Sequence, residues 1–193
     1  MAAIRQGDLA RTLWKNGRGR KADIAAGDGW FVGLAWLDQD APFSDFSGFD
    51  RTCVLLQGAG FTLSVEGQGA LAFGEPGTAH SFAGQSPARA ELVAGGCLVF
   101  NVMTRQGEWE HRVQVDGRVP QDGYAVVLRG SVRDGDQVAG PGDVLVPPHA
   151  GVASADLLVV AAQLVATRPP RASGPTPEGG APGSAPGSGS SRP

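Results

Sequence analysis

A Pro-Gly turn ahead of a histidine occurs twice in this sequence, first at residues 74–80 (Gly-Glu-Pro-Gly-Thr-Ala-His) and again at residues 140–149 (Gly-Pro-Gly-Asp-Val-Leu-Val-Pro-Pro-His). An apolar run that ends in a glycine turn precedes each copy, at residues 54–58 and 127–130. The same order of signals in both places indicates that one β-structured unit has been duplicated. The interval between the two signals is shorter in the second copy, so we expect a shorter hairpin there.

Short apolar runs punctuated by glycine and proline fill the chain between residues 30 and 165. No window in this region keeps a helical period for three turns, and a short helix is predicted only at residues 7–13. The sequence therefore predicts an all-β fold. Its candidate strands are residues 30–37, 52–56, 61–65, 70–73, 89–92, 98–104, 112–115, 124–128, 143–146 and 157–165.

Each copy of the repeat resembles the second half of a cupin motif, with a strand, a variable hairpin and a Pro-Gly turn before a histidine. Two such copies imply a bicupin, in which two cupin-like jelly-roll β-barrels form one compact unit. The alternative is a duplicated hairpin in another kind of β-sandwich. On the bicupin interpretation the folded domain spans residues 1–167, with halves at roughly residues 1–105 and 106–167.

The C-terminal segment, residues 168–193, is built almost entirely from proline, glycine, serine and alanine, without valine, isoleucine, leucine or aromatic residues. Such a segment buries too little apolar surface to offset its ordering entropy. We therefore predict a disordered tail.

Charge and hydropathy exclude several classes of protein. A net charge of −3 argues against a nucleic-acid-binding protein, because such domains carry a clear basic excess. No segment approaches the roughly 20 apolar residues of a membrane-spanning helix, and the charged N-terminus does not fit a secretory signal. These features predict a cytoplasmic protein in which Cys53 and Cys97 are buried thiols rather than a disulfide.

Residues 98–105 carry the clearest candidate for a binding surface. Strand alternation puts Asn101, Met103 and Arg105 on the face opposite to the apolar residues of this segment. An amide, a thioether and a guanidinium suit a barrel lumen that binds a polar, anionic ligand. The alternative is a solvent-facing strand on which Arg105 only extends along the surface.

Two other polar residues stand near turns. Arg51 either binds a ligand carboxylate or pairs with Asp50 or Asp45 to hold its loop. His80, which shares a face with Phe82, is either a hydrogen-bond donor or general base, or a structural residue. No residue is assigned as catalytic, and no cofactor is predicted.

The histidines of the chain do not fit a metal site. The chain has three histidines, His80, His111 and His149, and their placement does not supply the His-x-His, carboxylate and further histidine of a metal-bearing cupin. We therefore predict no metal site.

The basic, glycine-rich segment at residues 14–21 does not fit a phosphate-binding loop, because no strand precedes it and no amphipathic helix follows. Its tryptophan, Trp14, suggests packing onto the barrel instead. Lys15 or Asn16 would then reach the mouth of the pocket.

Taken together, these residues resemble the HutD family, which includes the Ves proteins. The resemblance is carried by Trp-Lys-Asn-Gly at residues 14–17, Pro-Phe-Ser at 42–44 and Phe-x-Gly-x-Asp-Arg at 46–51. Phe-x-Gly at residues 82–84 and Phe-Asn-Val-Met-Thr-Arg at 100–105 complete it. The pattern covers the chain from Trp14 to about residue 160.

This resemblance implies a bicupin fold and a cytoplasmic role tied to histidine utilisation in bacteria. It implies binding of a pathway intermediate such as urocanate or N-formylglutamate, and no catalytic reaction is attached to the family. The chain departs from the pattern at Gln106, where a second arginine is usual, and the proline-rich tail is not part of it.

The leading hypothesis is therefore a binding protein for a small anionic metabolite, a carboxylate, with Arg105 as the main clamp and Arg51 as a second. Arg105→Ala is expected to weaken binding at least tenfold. We expect a monomer or weak homodimer. The alternatives are a metal-independent isomerase, lyase or hydrolase with His80 as general base, and a protein-interaction module. The predicted ligand-binding residues are Trp14, Lys15, Asn16, Phe43, Ser44, Arg51, His80, Phe82, Asn101, Met103 and Arg105.

Overall fold

The computed structural model describes residues 2–14 and 17–167. Lys15, Asn16 and the predicted tail at residues 168–193 lie outside the described residues. Eighteen strands and one short 3₁₀ helix, Gln6–Asp8, form the regular structure of the described part. The strands up to residue 105 are β1 Ala2–Ile4, β2 Thr12–Leu13, β3 Gly19–Gly27, β4 Trp30–Leu37, β5 Ala41–Pro42, β6 Phe49–Gln57, β7 Phe61–Val65, β8 Gly69–Phe73, β9 Ala79–Ala83, β10 Ala88–Leu92 and β11 Cys97–Arg105. The later strands are β12 Trp109–Asp116, β13 Tyr124–Arg129, β14 Val132–Asp134, β15 Gln137–Ala139, β16 Val144–Val146, β17 Val152–Ala153 and β18 Leu158–Ala166.

Each half of the molecule is a pair of sheets. The first half combines a six-stranded sheet, in the order β2-β3-β4-β11-β6-β9, with a four-stranded sheet, β5-β10-β7-β8. The second half combines a five-stranded sheet, β1-β16-β13-β18-β12, with a three-stranded sheet, β15-β14-β17. The all-β bicupin prediction is confirmed. No described helix is long and apolar enough to cross a membrane.

The two large sheets pack against each other in the middle of the molecule. Leu98, Phe100 and Val102 of β11 lie in one buried cluster with Val126 and Val160 of the second half. Residues 97 and 99 of the same strand face the other way, into the interior of the first half. Because side chains alternate along a strand, β11 contributes one face to the contact between the halves and the other to the barrel lumen.

The backbone confirms the internal duplication. Gly77 donates its N–H to the carbonyl of Leu55 at 2.8 Å, and Gly142 donates to the carbonyl of Val127 at the same distance. Leu55 and Val127 in turn donate to the carbonyls that follow these two glycines. Each Pro-Gly turn is therefore held against its apolar strand by the same two hydrogen bonds.

The N-terminal region differs from the prediction. The predicted helix at residues 7–13 is wrong, since the chain there forms only the 3₁₀ turn at Gln6–Asp8 and then the strand Thr12–Leu13. The segment interpreted as a basic loop runs directly into β3, which pairs with β4 along its length. Its sequence, Gly-Arg-Lys-Ala-Asp-Ile-Ala-Ala-Gly, has weak strand propensity, so pairing with a strong neighbour determines its conformation.

The first strand also crosses between the halves. β1 pairs with β16 of the second half, with Ala3 opposite Leu145. Residues 2–4 thus join the second half's large sheet, across the predicted division at about residue 105. This exchange covers an edge of that sheet that would otherwise be open.

Candidate functional site

A cavity of about 600 Å³ opens at one end of the first barrel. Its floor is formed by the lumen faces of β6 and β11, and its walls come from β3, β4 and the loop between β5 and β6. Seven of the residues predicted to bind a ligand line it. They are Trp14, Phe43, Ser44, Arg51, Asn101, Met103 and Arg105.

Two predicted residues are not in the lining. His80 lies beyond the lining, where its Nε2 is 3.0 Å from the carbonyl oxygen of Ala72 and its ring packs edge-on against Phe73. Phe82 is buried behind Arg51, with its ring 5.1 Å from the guanidinium carbon. β9 is the outermost strand of its sheet and carries the His80 ring towards β8, so the predicted role of His80 in ligand binding stays a prediction.

Arg51 is the most unusual residue of the cavity. It is 5% exposed, and the rings of Phe43, Phe46 and Phe82 surround its guanidinium with centroids 5.0 to 5.2 Å from the central carbon. Its Nη1 donates to the carbonyl oxygen of Ser44 at 3.2 Å, whereas its Nε is buried without a partner among the described residues.

No carboxylate of the described residues lies within ion-pairing distance of Arg51. The predicted alternative of a pair with Asp45 or Asp50 is not observed, since Asp45 accepts from Ser47 and Asp50 accepts from Gln106. Burial lowers the pKa of Arg51 to about 10, because desolvation penalises the charged form. A positive charge held by aromatic faces and unmatched by a carboxylate suits the binding of an anion.

The other two basic side chains of the lining are already neutralised. Arg105, at the rim, donates from Nη1 to Glu108 at 2.9 Å and approaches Asp28 at 3.2 Å. These carboxylates, with Glu108 the stronger influence, raise the pKa of Arg105. Lys21 is paired with Asp23 at 2.7 Å. Among the basic side chains of the lining, Arg51 is therefore the one without a carboxylate partner in the described part of the chain.

Asn101 and Met103 lie beside Arg51 on the floor. In the pairing of β11 with β6, Met103 is opposite Arg51 and Asn101 is opposite Cys53. Asn101 is 7% exposed, and its Oδ1 is buried with no hydrogen-bond partner among the described residues. The floor thus carries two unmatched polar groups, one donor on Arg51 and one acceptor on Asn101.

Cysteine nucleophile chemistry is disfavoured at this site. Cys53 is fully buried, and burial raises the pKa of its thiol to about 12, so the thiolate form is strongly disfavoured at neutral pH. Among the described residues, no group of three or more histidine, cysteine, aspartate or glutamate side chains could hold a metal ion. That the protein works without a metal remains a prediction.

With this geometry in place, the family model described as HutD matches residues 6–130. The chain belongs to the HutD family. The match takes in every described cavity residue and ends in the turn after β13, inside the second half.

The relatives are proteins of pseudomonads and other bacteria. An uncharacterized 21.2 kDa protein in the hutC 3′ region of Pseudomonas putida is 31% identical over 118 residues, which is 58% of this chain and 62% of the relative. The chain thus matches less than two thirds of that protein's length.

Several solved structures share the fold. HutD from Pseudomonas fluorescens SBW25, determined in a formate condition, superposes with a TM-score of 0.69 at 22% identity, covering 86% of this chain and 98% of that one. A conserved protein of unknown function from Pseudomonas aeruginosa PAO1 gives a TM-score of 0.68 with the same identity and coverage. Ylba from E. coli gives 0.61 at 12% identity, covering 83% of this chain and 89% of its own.

Several lining residues were missed by the sequence prediction. Most come from segments outside the motifs, such as the aromatic pair that opens β4, whereas Lys21, Asp45, Phe46 and Phe49 lie in or beside the motif segments but were not assigned to the site. These additional residues are Leu13, Lys21, Gly27, Asp28, Gly29, Trp30, Phe31, Leu34, Ala35, Asp45, Phe46 and Phe49. The available signal was Phe31 two residues before Gly33, since strand alternation puts both on one face, and in the structure a Cβ on Gly33 would collide with the ring of Phe31.

Proposed function

We propose that this HutD-family bicupin is a cytoplasmic binding protein that takes up a small carboxylate in the first-half cavity and thereby modulates histidine utilisation. Urocanate and N-formylglutamate are the candidate ligands. The observation that carries the proposal is Arg51, a buried guanidinium on the cavity floor with no carboxylate partner among the described residues.

A carboxylate gains more binding free energy from a buried positive charge than from an exposed one. An anion that enters the cavity meets a positive charge already removed from bulk water, so the attraction is less screened than at the surface. A charge-assisted hydrogen bond of this kind contributes about 1.5 to 3 kcal/mol. The binding of a carboxylate would also satisfy the buried Nε of Arg51.

The rim arginine contributes less on this view. Arg105 already interacts with Asp28 and Glu108 and is 39% exposed, so a ligand would have to compete with two carboxylates in water. We therefore expect the loss of affinity of at least tenfold when Arg51 is replaced, rather than in Arg105→Ala.

The enzyme alternative loses its general base, because His80 contacts Ala72 and Phe73 outside the cavity lining. A role as a protein-interaction module and a monomeric or weakly dimeric state remain proposals of lower priority.

Calorimetric titration with urocanate, N-formylglutamate, glutamate and histidine tests the proposal. Arg51→Met removes the charge and keeps an apolar side chain of similar length, and Arg105→Met is the matched control at the rim. We expect saturable binding of one of the ligands, a loss of at least tenfold in Arg51→Met and a smaller loss in Arg105→Met. Equal affinity in wild type and Arg51→Met would remove Arg51 from the binding site, and silence of the whole panel would overturn the proposed function.

A further inference from the structure

We infer that the ligand of this cavity carries an N–H group in addition to its carboxylate, and that Asn101 selects for that group. This inference rests on the proposed function and specifies the class of ligand. It excludes simple carboxylates and isosteres in which an oxygen or a carbon replaces the N–H.

The side chain of Asn101 holds a hydrogen-bond acceptor that is unmatched among the described residues. The Oδ1 atom of Asn101 is buried and has no donor among the described residues, although it stands on the floor of a cavity. Buried amide oxygens are nearly always hydrogen-bonded in native proteins, because leaving one unpaired is costly. A ligand that brings a donor to this atom gains a hydrogen bond that a ligand without one cannot make.

The residues opposite Asn101 on the neighbouring strands supply no donor to its Oδ1. On β6, Cys53 is opposite Asn101, and its thiol makes no hydrogen bond with the Oδ1 atom. On the other side, Gly33 of β4 is opposite Asn101 and offers no side chain. The ring of Phe31 lies over Gly33, so a flat apolar surface borders the amide. A ligand therefore has to bring the missing donor itself.

The spacing between the two unmatched groups limits the shape of the ligand. Arg51 and Asn101 lie on adjacent antiparallel strands, offset by one diagonal step, with both side chains in the lumen. Diagonal neighbours of this kind have Cα atoms about 7 to 8 Å apart. A ligand that satisfies both groups must then hold its carboxylate and its N–H several bonds apart.

The combination defines a class of ligand. It is a small acid with an anionic end for Arg51, a compact unsaturated or amide middle that fits between aromatic walls, and an N–H donor for Asn101. A site built around a polar group rejects analogues that lack the matching group, because the protein atom is then buried unpaired.

The test uses ligand pairs that differ only at the N–H. Urocanate is compared with 3-(oxazol-4-yl)acrylate, in which a ring oxygen replaces the N–H, and N-formylglutamate with 2-(formyloxy)glutarate, in which an ester oxygen replaces it. Each is titrated calorimetrically into the full chain and into Asn101→Leu, a variant of similar size without hydrogen-bonding capacity. Arg51→Met is the companion variant for the carboxylate end.

We expect the wild type to bind the N–H member of at least one pair at least tenfold more tightly than its partner. In Asn101→Leu the two members should bind with affinities within about threefold of each other, because the selecting atom has been removed. Arg51→Met should weaken both members equally.

The outcomes separate the inference from the proposed function. Equal binding of both members of a pair to the wild type, with loss of both in Arg51→Met, would overturn the inference and leave the carboxylate-binding function standing. Discrimination that persists in Asn101→Leu would also overturn it. If no member of either pair binds the wild type, the proposed function fails and the inference fails with it.

Discussion

The Nε2 atom of His111 lies 2.8 Å from the hydroxyl oxygen of Thr52, and this contact joins the second half of the molecule to the strand that carries Arg51. The other ring nitrogen, Nδ1, lies 2.7 Å from the hydroxyl of Thr104 on β11. Thr52 continues the chain to the hydroxyl of Ser81 at 2.7 Å. Neutral imidazole offers one donor and one acceptor, and hydroxyls accept or donate, so uncharged His111 satisfies both contacts.

We therefore predict that stability falls as the pH is lowered from about 7.5 to about 5.5. Burial lowers the pKa of His111, with a smaller opposing influence from Asp50. The unfolded chain, with an ordinary histidine pKa of about 6.5, then takes up this proton at a higher pH than the folded protein does. The unfolded state binds more protons in this window, so the free energy of unfolding contributed by His111 is fully present above about pH 6.5 and declines below it.

Chemical denaturation across this pH range measures the effect. His111→Gln keeps hydrogen-bonding capacity without the titrating ring, and its stability should depend less on pH between 5.5 and 7.5 than that of the wild type. An unchanged pH dependence in this variant would show that other groups are responsible.

A second prediction separates binding from stability at Arg51. In the absence of ligand, Arg51→Met should lower the free energy of unfolding by no more than about 1 kcal/mol, because it removes a buried charge that no described carboxylate compensates. The three aromatic contacts of the guanidinium set the opposing contribution, and methionine packs well against aromatic rings. Urea denaturation is the measurement.

A loss of several kcal/mol in Arg51→Met would identify this arginine as a structural residue. The same experiment with Arg105→Met gives the comparison for a paired, partly exposed arginine, where the loss should also be small.

The duplicated turn gives a third prediction. Gly77 has φ at +96°, and an added Cβ would lie 3.2 Å from a methyl group of Val115 in the second half. Gly77→Ala should therefore cost at least about 1 to 2 kcal/mol, since L-residues are strained in this region. Gly74→Ala, three residues earlier, meets nothing within 4 Å and is the matched control. Thermal unfolding of the two variants compares them, and equal melting temperatures would contradict the proposed role of the turn.

A fourth prediction concerns the C-terminal segment. Removal of residues 168–193 should leave the melting temperature and the ligand affinity unchanged, because this composition contributes no large apolar side chains to a core. A lower melting temperature or weaker binding in the shortened chain would show that the segment contacts the folded part.

Much of the floor could be predicted from local sequence. Alternation along residues 98–105 assigned Asn101, Met103 and Arg105 to one face, and the structure finds all three in the cavity lining. This prediction succeeds because the side-chain period of a strand is a local property that needs no knowledge of neighbouring strands. The contacts of His80 could not be predicted in this way, since they come from Ala72 and Phe73 of another sheet.

The surroundings of the two arginines are only partly local in sequence. Arg105 pairs with Glu108, three residues later, and also with Asp28 from the turn between β3 and β4. Arg51 is enclosed by Phe43 and Phe46 of the preceding loop and by Phe82 of β9. The contacts with Asp28 and Phe82 join segments that are distant in the chain, so the residues around each arginine do not predict them.

The sequence by itself determined the all-β architecture, the duplication and the two faces of β11, because glycine turns, short apolar runs and alternation act over a few residues. Only the tertiary structure decided which charges are matched, that β1 belongs to the second half, and that His111 binds Thr52 across the interface. Burial and ion pairing depend on the full set of neighbours around a group. Those neighbours are brought together only when the strands take up their final register.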